Sequence, residues 1–329
     1  MPLEKTRKWR YGVNRWYVLL FIILGIVFAK MYPPIRPHIQ VAPERIAEAP
    51  LFTLPVIGPF YMTNTLVAML IMDVVIILFF LPFMLAAKRG SIMPEGGFAG
   101  AAEAIVEMLY NLVEKTAGKA TKDIFPWFAT IFITVLVANW MELIPGVDSI
   151  GILEHVKEGA HEGYQAVATF IPGMMALVRG EGHYNVTSYV RVLSTDLNFT
   201  SSLALISVIM TQVIGIKYQG MAYFSKFFNT RELFTKPFMG AMDFLVGLLE
   251  IISEVSKILS FAFRLFGNIF AGSVLLFLVG SMIPVFVQSM ILVFEFGIGM
   301  IQAFVFAMLT LVFMSQATQG HGGEAHHEA

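Results

Sequence analysis

The chain has 329 residues, of which 57% are hydrophobic and only 14% charged, where an ordinary soluble domain carries roughly 25% charge. Long uncharged runs rich in Phe and Met, with a mean hydropathy of +0.73, would aggregate in water and suit a lipid-facing surface, which excludes a soluble fold. A net charge of −1 offers no field for nucleic acid, and zero Cys removes disulfides, thiolate catalysis and cysteine metal sites.

A membrane helix needs about 20 apolar residues, so spans are sought as uncharged runs between charges and prolines. The first run, Trp16 to Ala29, is short, but Arg15 and Lys30 at its ends can snorkel to the two headgroup layers. The same N-terminus also reads as a signal peptide, with a basic stretch, an apolar run, and Val27 and Ala29 as small residues before a cleavage point. Leu66 to Ala87 is a span interrupted only by Asp73. In residues 97–122, Glu103, Glu107, Asn111 and Glu114 recur at helical spacing opposite Ile105, Val106, Leu109, Leu112 and Val113, which predicts an amphipathic helix on the cytoplasmic surface. Ile124 to Leu143 is a span carrying only Glu142. Residues 146–196 form a long outer segment, acidic in its first half, expected to fold locally over the outer face. Thr200 to Ile216 is an uncharged span. No proline falls between Pro237 and Pro284, a length that would reach on the order of 70 Å as one helix, so it either breaks near Gly267 or Gly272 or runs steeply tilted. Val285 to Met314 holds one charge, Glu295, and should form a long tilted hairpin with the preceding helix, turning at Pro284.

These elements predict an all-α polytopic integral membrane protein of about six membrane helices, without the internal repeat of many secondary transporters. Basic residues cluster before the first span, after the second and after the fourth, which places both chain ends on the cytoplasmic side.

An ionisable group at membrane depth costs several kcal/mol and is a functional candidate by default. Glu250, Lys257 and Arg264 sit at i, i+7 and i+14 on one helical stripe, with Ser253, Ser260 and Asn268 alongside. Gln288, Glu295 and Gln302 repeat the seven-residue spacing on the last helix, and both stripes are expected to face out of their helices and line water. Arg264 stands among Phe261, Ala262, Phe263, Leu265 and Phe266 with no carboxylate within a helical turn, so its partner must come from another helix or another chain. A guanidinium stays protonated at any plausible burial, which makes it a fixed cation able to attract a carboxylate and unable to relay protons. Glu295, Glu142 and Glu250 can titrate and pass protons along a wetted groove. Interhelical hydrogen bonding is the alternative for Glu250 and Lys257, and for Asp73, which either lines an ion path or packs.

The run Arg264-Leu265-Phe266-Gly267-Asn268, followed by Ile269-Phe270-Ala271-Gly272, resembles the signature of subunit a of F-type ATP synthases. Gln302-Ala303-Phe304-Val305-Phe306, Asn139-Trp140-Met141-Glu142-Leu143-Ile144-Pro145 and Asp196-Leu197-Asn198-Phe199-Thr200 extend the resemblance, in matching order, over about residues 60–318. The resemblance implies that Arg264 engages the carboxylate of a rotating c-ring, with Gln302 beside it and Asn268 as the signature asparagine. It implies that Glu250 serves the cytoplasmic half-channel and that Asn139 and Glu142 line the opposite one. Some members carry a glutamate nine residues after the arginine and a histidine on the last helix; here those positions are Ser273 and Glu295, so the acid stands on the other helix. Asp73, Lys257 and Gln288 are secondary candidates.

The implied partners are the c-ring, the subunit b peripheral stalk, the other synthase subunits and membrane lipid, in a bacterial plasma membrane. No cofactor or metal is expected, since His321, His326 and His327 lie in a Gly-rich tail without fixed geometry. The chain has no active site of its own, and it contains no G-x-x-x-x-G-K-[ST] phosphate loop. Residues 1–62 read as an N-terminal extension with one membrane helix, 63–318 as the membrane domain, and 319–329 as a tail. A stand-alone secondary transporter, with Arg264 and Glu295 holding an anionic substrate and a coupling ion, is the rival reading; a structural scaffold would leave Arg264 without a purpose.

Overall fold

A computed structural model describes residues 11–31, 42–47, 49–55, 58–88, 97–144, 147, 150–155, 164–168, 175–179, 184–227, 237–282 and 286–319. The turn at Pro284, the tail histidines and the basic residues before Tyr11 lie outside them. Among the described residues, seven long helices carry the architecture: α1 (Tyr11–Met31), α2 (Asn64–Lys88), α3 (Phe98–Ala117), α4 (Thr121–Trp140), α5 (Leu197–Gln219), α6 (Pro237–Met282) and α7 (Phe286–Thr318). Five helical segments are long and apolar enough to cross a membrane, and the apolar stretch Arg15–Val27 of α1 is shorter. The chain is a multi-pass all-α membrane protein.

Short strands occupy the segments between the spans. β1 (Phe52–Leu54) pairs antiparallel with β2 (Gly58–Phe60), and the partners Phe52 and Phe60 stack their rings at 4.9 Å. In the 146–196 segment, β3 (Gly151–His155) pairs with β6 (Tyr184–Ser188), and β4 (Tyr164–Ala168) with β5 (Met175–Arg179). This segment therefore does have local structure, built from backbone ladders.

The chain forms two compact units. The larger comprises Val41–Gly151, Ser188–Phe270 and Ile298–Ala329. Its core joins Leu109 and Val113 of α3, Ile124, Phe128 and Val135 of α4, Ala204 of α5, Leu265 of α6, and Phe306, Ala307 and Leu311 of α7. Small residues at these contacts let helices approach where lipid supplies no hydrophobic drive for association. Polar side chains then join them: Ser207 on α5 and Thr310 on α7 share a buried hydrogen bond of 2.7 Å, and Lys217 and Tyr218 at the end of α5 reach Asp123 at the start of α4 at 2.7 and 2.8 Å. The start of α5 is fixed by its own sequence, because Asp196 caps the helix by accepting from the Asn198 backbone N–H at 2.8 Å.

One expectation changes here, and an open alternative is decided. The amphipathic helix forms as α3 with Glu107, Asn111 and Glu114 exposed, but its apolar face is spent on protein. Leu109 and Val113 are fully buried and Ile105 and Leu112 pack on the same core, so α3 is a layer of the bundle rather than a helix held by lipid. The long helix α6 is unbroken for 46 residues, straight through Gly267 and Gly272. At 1.5 Å per residue that is about 69 Å, more than twice the roughly 30 Å hydrocarbon core, so α6 must run steeply inclined.

The smaller unit comprises Met1–Gln40, Ile152–Thr187 and Ala271–Gly297. Within it, α1 leaves Trp16, Leu20, Phe21 and Ile23 exposed, the outward apolar character of a helix made for lipid.

Because Ala307 is fully buried in the larger unit's core, Ala307→Leu should overpack it and cost about 1–3 kcal/mol. The same change at the exposed Ala87 should be nearly neutral. Thermal unfolding of the detergent-solubilised protein should separate the two; equal midpoints would mean that α7 does not pack as described.

Candidate functional site

In the larger unit, α6 is divided lengthwise by its sequence. Phe261, Ala262, Leu265 and Ile269, at i, i+1, i+4 and i+8, are buried, and Phe261 meets Phe306 and Phe313 of α7 at ring separations of 5.2 and 5.8 Å. This anchoring fixes the rotation of α6 and turns Ser260, Arg264 and Asn268 onto a different side. Arg264 is half-buried, and Nη2 donates to Ser260 Oγ at 3.4 Å, a long bond to a neutral acceptor. Among the described residues no carboxylate pairs with it.

One turn beyond Arg264, Asn268 donates from Nδ2 to Gln302 Oε1 at 2.8 Å. That bond brings the α7 glutamine level with Asn268, one helical turn beyond the arginine. Gln302 is only 4% exposed, and its Nε2 has no hydrogen-bond partner among the described residues. A buried amide donor left open in this way is costly and suits a site that something else completes.

A second polar cluster lies in the same unit. Asn139, near the C-terminal end of α4, is buried; its Nδ2 donates to the Gly299 carbonyl of α7 at 2.9 Å, and its Oδ1 accepts from Ser194 Oγ at 2.6 Å. Glu142, one turn further on in a 3-10 turn, is also buried. Asp73 on α2 is half-buried, with no hydrogen bond or ion pair among the described residues. Lys257 on α6 is paired: its Nζ lies 2.9 Å from Glu254 Oε1 and 4.7 Å from the Phe313 ring centroid. Glu250 is half-buried one turn before Glu254.

In the smaller unit the polar groups of α7 meet glycines of α6. Glu295 is 4% exposed, with Oε2 lacking a partner among the described residues, and its carboxylate lies against Gly272, where an added Cβ would stand 2.6 Å from the carboxyl carbon. A Cβ at Gly280 would likewise come within 3.1 Å of Gln288 Nε2. Ser273, next to Gly272, is buried. Gly272, one of the two glycines at which a break was the alternative to a steep tilt, is a seat for the Glu295 carboxylate.

The stripe on α7 therefore does not face outward. Glu295 and Gln302 turn into the protein, because the outward positions of α7 are taken by Val293, Phe294, Ile301 and Phe304, which suit lipid. Three residues escaped the sequence reading. Glu254 had a signal in its i, i+3 spacing to Lys257; Ser194 sits in a 3-10 turn without periodicity; Gly299 gives Asn139 room, since a Cβ there would be 3.1 Å from Asn139 Cβ.

A family model described as ATP synthase A chain matches residues 66–315. The chain is 33% identical over 250 residues to the ATP synthase subunit a of Pseudoalteromonas translucida, covering 72% of this chain and 78% of that protein. It is 30% identical over 255 residues to the ATP synthase subunit a of Pseudoalteromonas atlantica, covering 74% and 84%. It is also 30% identical over 249 residues to that of Wigglesworthia glossinidia brevipalpis, covering 74% and 78%.

Space around the glycines predicts opposite signs for one substitution. At Gly267, where nothing lies within 4 Å of an added Cβ, Ala should stabilise the solubilised protein slightly, by up to about 1 kcal/mol of helix propensity. Gly272→Ala should destabilise it, because the Glu295 carboxylate must move. Parallel shifts in the two melting midpoints would refute the Gly272 seat.

Proposed function

The chain belongs to the ATP synthase A chain family, and from that premise we propose that it conducts protons through two half-channels at the face of a rotating c-ring, with Arg264 engaging the ring carboxylate. The observation that carries this reading is the state of Arg264: a permanent cation, half-buried on a membrane helix, whose one described polar contact is a long bond to Ser260. A fixed positive charge at membrane depth requires an anion. A carboxylate arriving from a second protein meets that need in passing and leaves again once protonated. The bond between Asn268 and Gln302 supports the reading, since it holds α7 one turn beyond the arginine with the Gln302 amide still able to donate.

The two half-channels follow from the remaining polar groups. In the larger unit Asn139 and Glu142 are outer-path groups, with Asp73 flanking them, and Glu250 serves the cytoplasmic path; in the smaller unit Glu295 and Ser273 are outer-path groups, with Gln288 flanking them. Glu295 is the titratable member of the outer path in the smaller unit; the glutamate-and-histidine pair of some family members is replaced by Ser273 and Glu295. The chain makes no bonds, so the chemistry of ATP belongs to other subunits. Its partners in this reading are the c-ring and the subunit b stalk, its site a bacterial plasma membrane, and residues 63–318 the conducting domain between an N-terminal extension (1–62) and a tail (319–329).

Arg264→Ala should abolish ATP-driven proton pumping in membrane vesicles while the chain stays in the membrane. Arg264→Lys should fall at least tenfold, because an ammonium lacks the planar fork and can lose its proton when desolvated. Pumping at the wild-type rate by Arg264→Ala would overturn the proposal. Glu295→Gln should slow pumping several-fold and change its dependence on outside pH; a normal rate at every pH would make that carboxylate structural.

A further inference from the structure

Two cations stand on the same stripe of α6, seven residues apart, and the structure treats them differently. Lys257 is held by Glu254 at 2.9 Å and covered by the Phe313 ring at 4.7 Å; Arg264 has Ser260 Oγ at 3.4 Å. The side chains of the pair are shielded, at 23% exposure for Lys257 and 12% for Glu254, so solvent screens their attraction less than that of a surface pair. We propose that Glu254 is a charge mask: by neutralising Lys257 it leaves Arg264 as the one cation on the stripe that a passing carboxylate can engage. The inference rests on the reading of Arg264 given above.

The physics is a competition for one anion. Seven residues along a helix are about 10.5 Å, roughly one Debye length at physiological salt, and within a membrane screening is weaker still. An unmasked Lys257 would offer the ring carboxylate a second stop about two turns before Arg264 and would repel protons moving along the same stripe. With Glu254 in place the pair has no net charge, and the attraction concentrates at Arg264. A pair that served packing alone would be damaged alike by removing either partner. A mask predicts asymmetry, because the harm comes from the exposed cation.

The test is ATP-driven pumping in vesicles holding the whole complex, normalised to the amount of this chain retained. Glu254→Gln should cost at least tenfold, and Glu254→Gln with Lys257→Arg at least as much, since the guanidinium cannot escape by losing its proton. Lys257→Gln should cost at most threefold, and Glu254→Gln with Lys257→Gln should recover to at least half the wild-type rate. Equal losses for the two single variants, no loss for Glu254→Gln, or failure of the double neutral variant to recover would overturn the mask. Arg264→Ala in the same preparation separates the two claims: if it is inactive and Glu254→Gln is normal, only the mask falls, whereas if it pumps, both fall.

Discussion

Everything about α6 depends on reconciling two demands on one helix: enough buried apolar surface to be held by its own chain, and one guanidinium left without an anion. The sequence meets the first with Phe261, Ala262, Leu265 and Ile269, which lock against α7 and the core. The second follows from that lock, because once those residues point inward, Arg264 lies on another side of the helix with Ser260 and Asn268. A carboxylate within reach of Arg264 on its own chain would cancel its charge; the described structure offers a hydroxyl and no carboxylate.

The rest of the larger unit serves to hold α7 at the right level. Asn139 clamps the Gly299 carbonyl, Asn268 reaches Gln302, and Ser207 pairs with Thr310, so three hydrogen bonds tie the same helix to three different neighbours. Each is a polar contact in an apolar setting, where leaving it unmade costs more than it would in water. These bonds fix register, which packing of interchangeable apolar side chains specifies poorly. Among the described residues Gln302 retains unfilled hydrogen-bonding capacity in that setting, as Glu295 does within the smaller unit.

Much of this was legible in the chain. Long uncharged runs gave the membrane helices within a few residues, because bilayer thickness imposes a length that composition must satisfy. The isolation of Arg264 among Phe and Leu was visible for the same reason: a charge in such a run has no local explanation. Less legible was anything set by neighbours across space. The inward turn of Glu295 depends on Gly272, and a glycine reads equally as a break or as room for a side chain. The fate of α3 was hidden because an amphipathic face is the same sequence whether protein or lipid covers it. Ser194 gave no signal, since a residue in a short 3-10 turn has no periodicity to place it against Asn139.

In this reading the anion for Arg264 comes from another protein. The most direct measurement is the distance, in a cryo-electron microscopy structure of the assembled complex, between the Arg264 guanidinium and the nearest carboxylate. The account predicts a c-ring carboxylate within about 4 Å in at least one rotary state, the reach of an ion pair. Arg264 bonded in every state to a carboxylate of its own chain, such as Glu250 or Glu295, would contradict it.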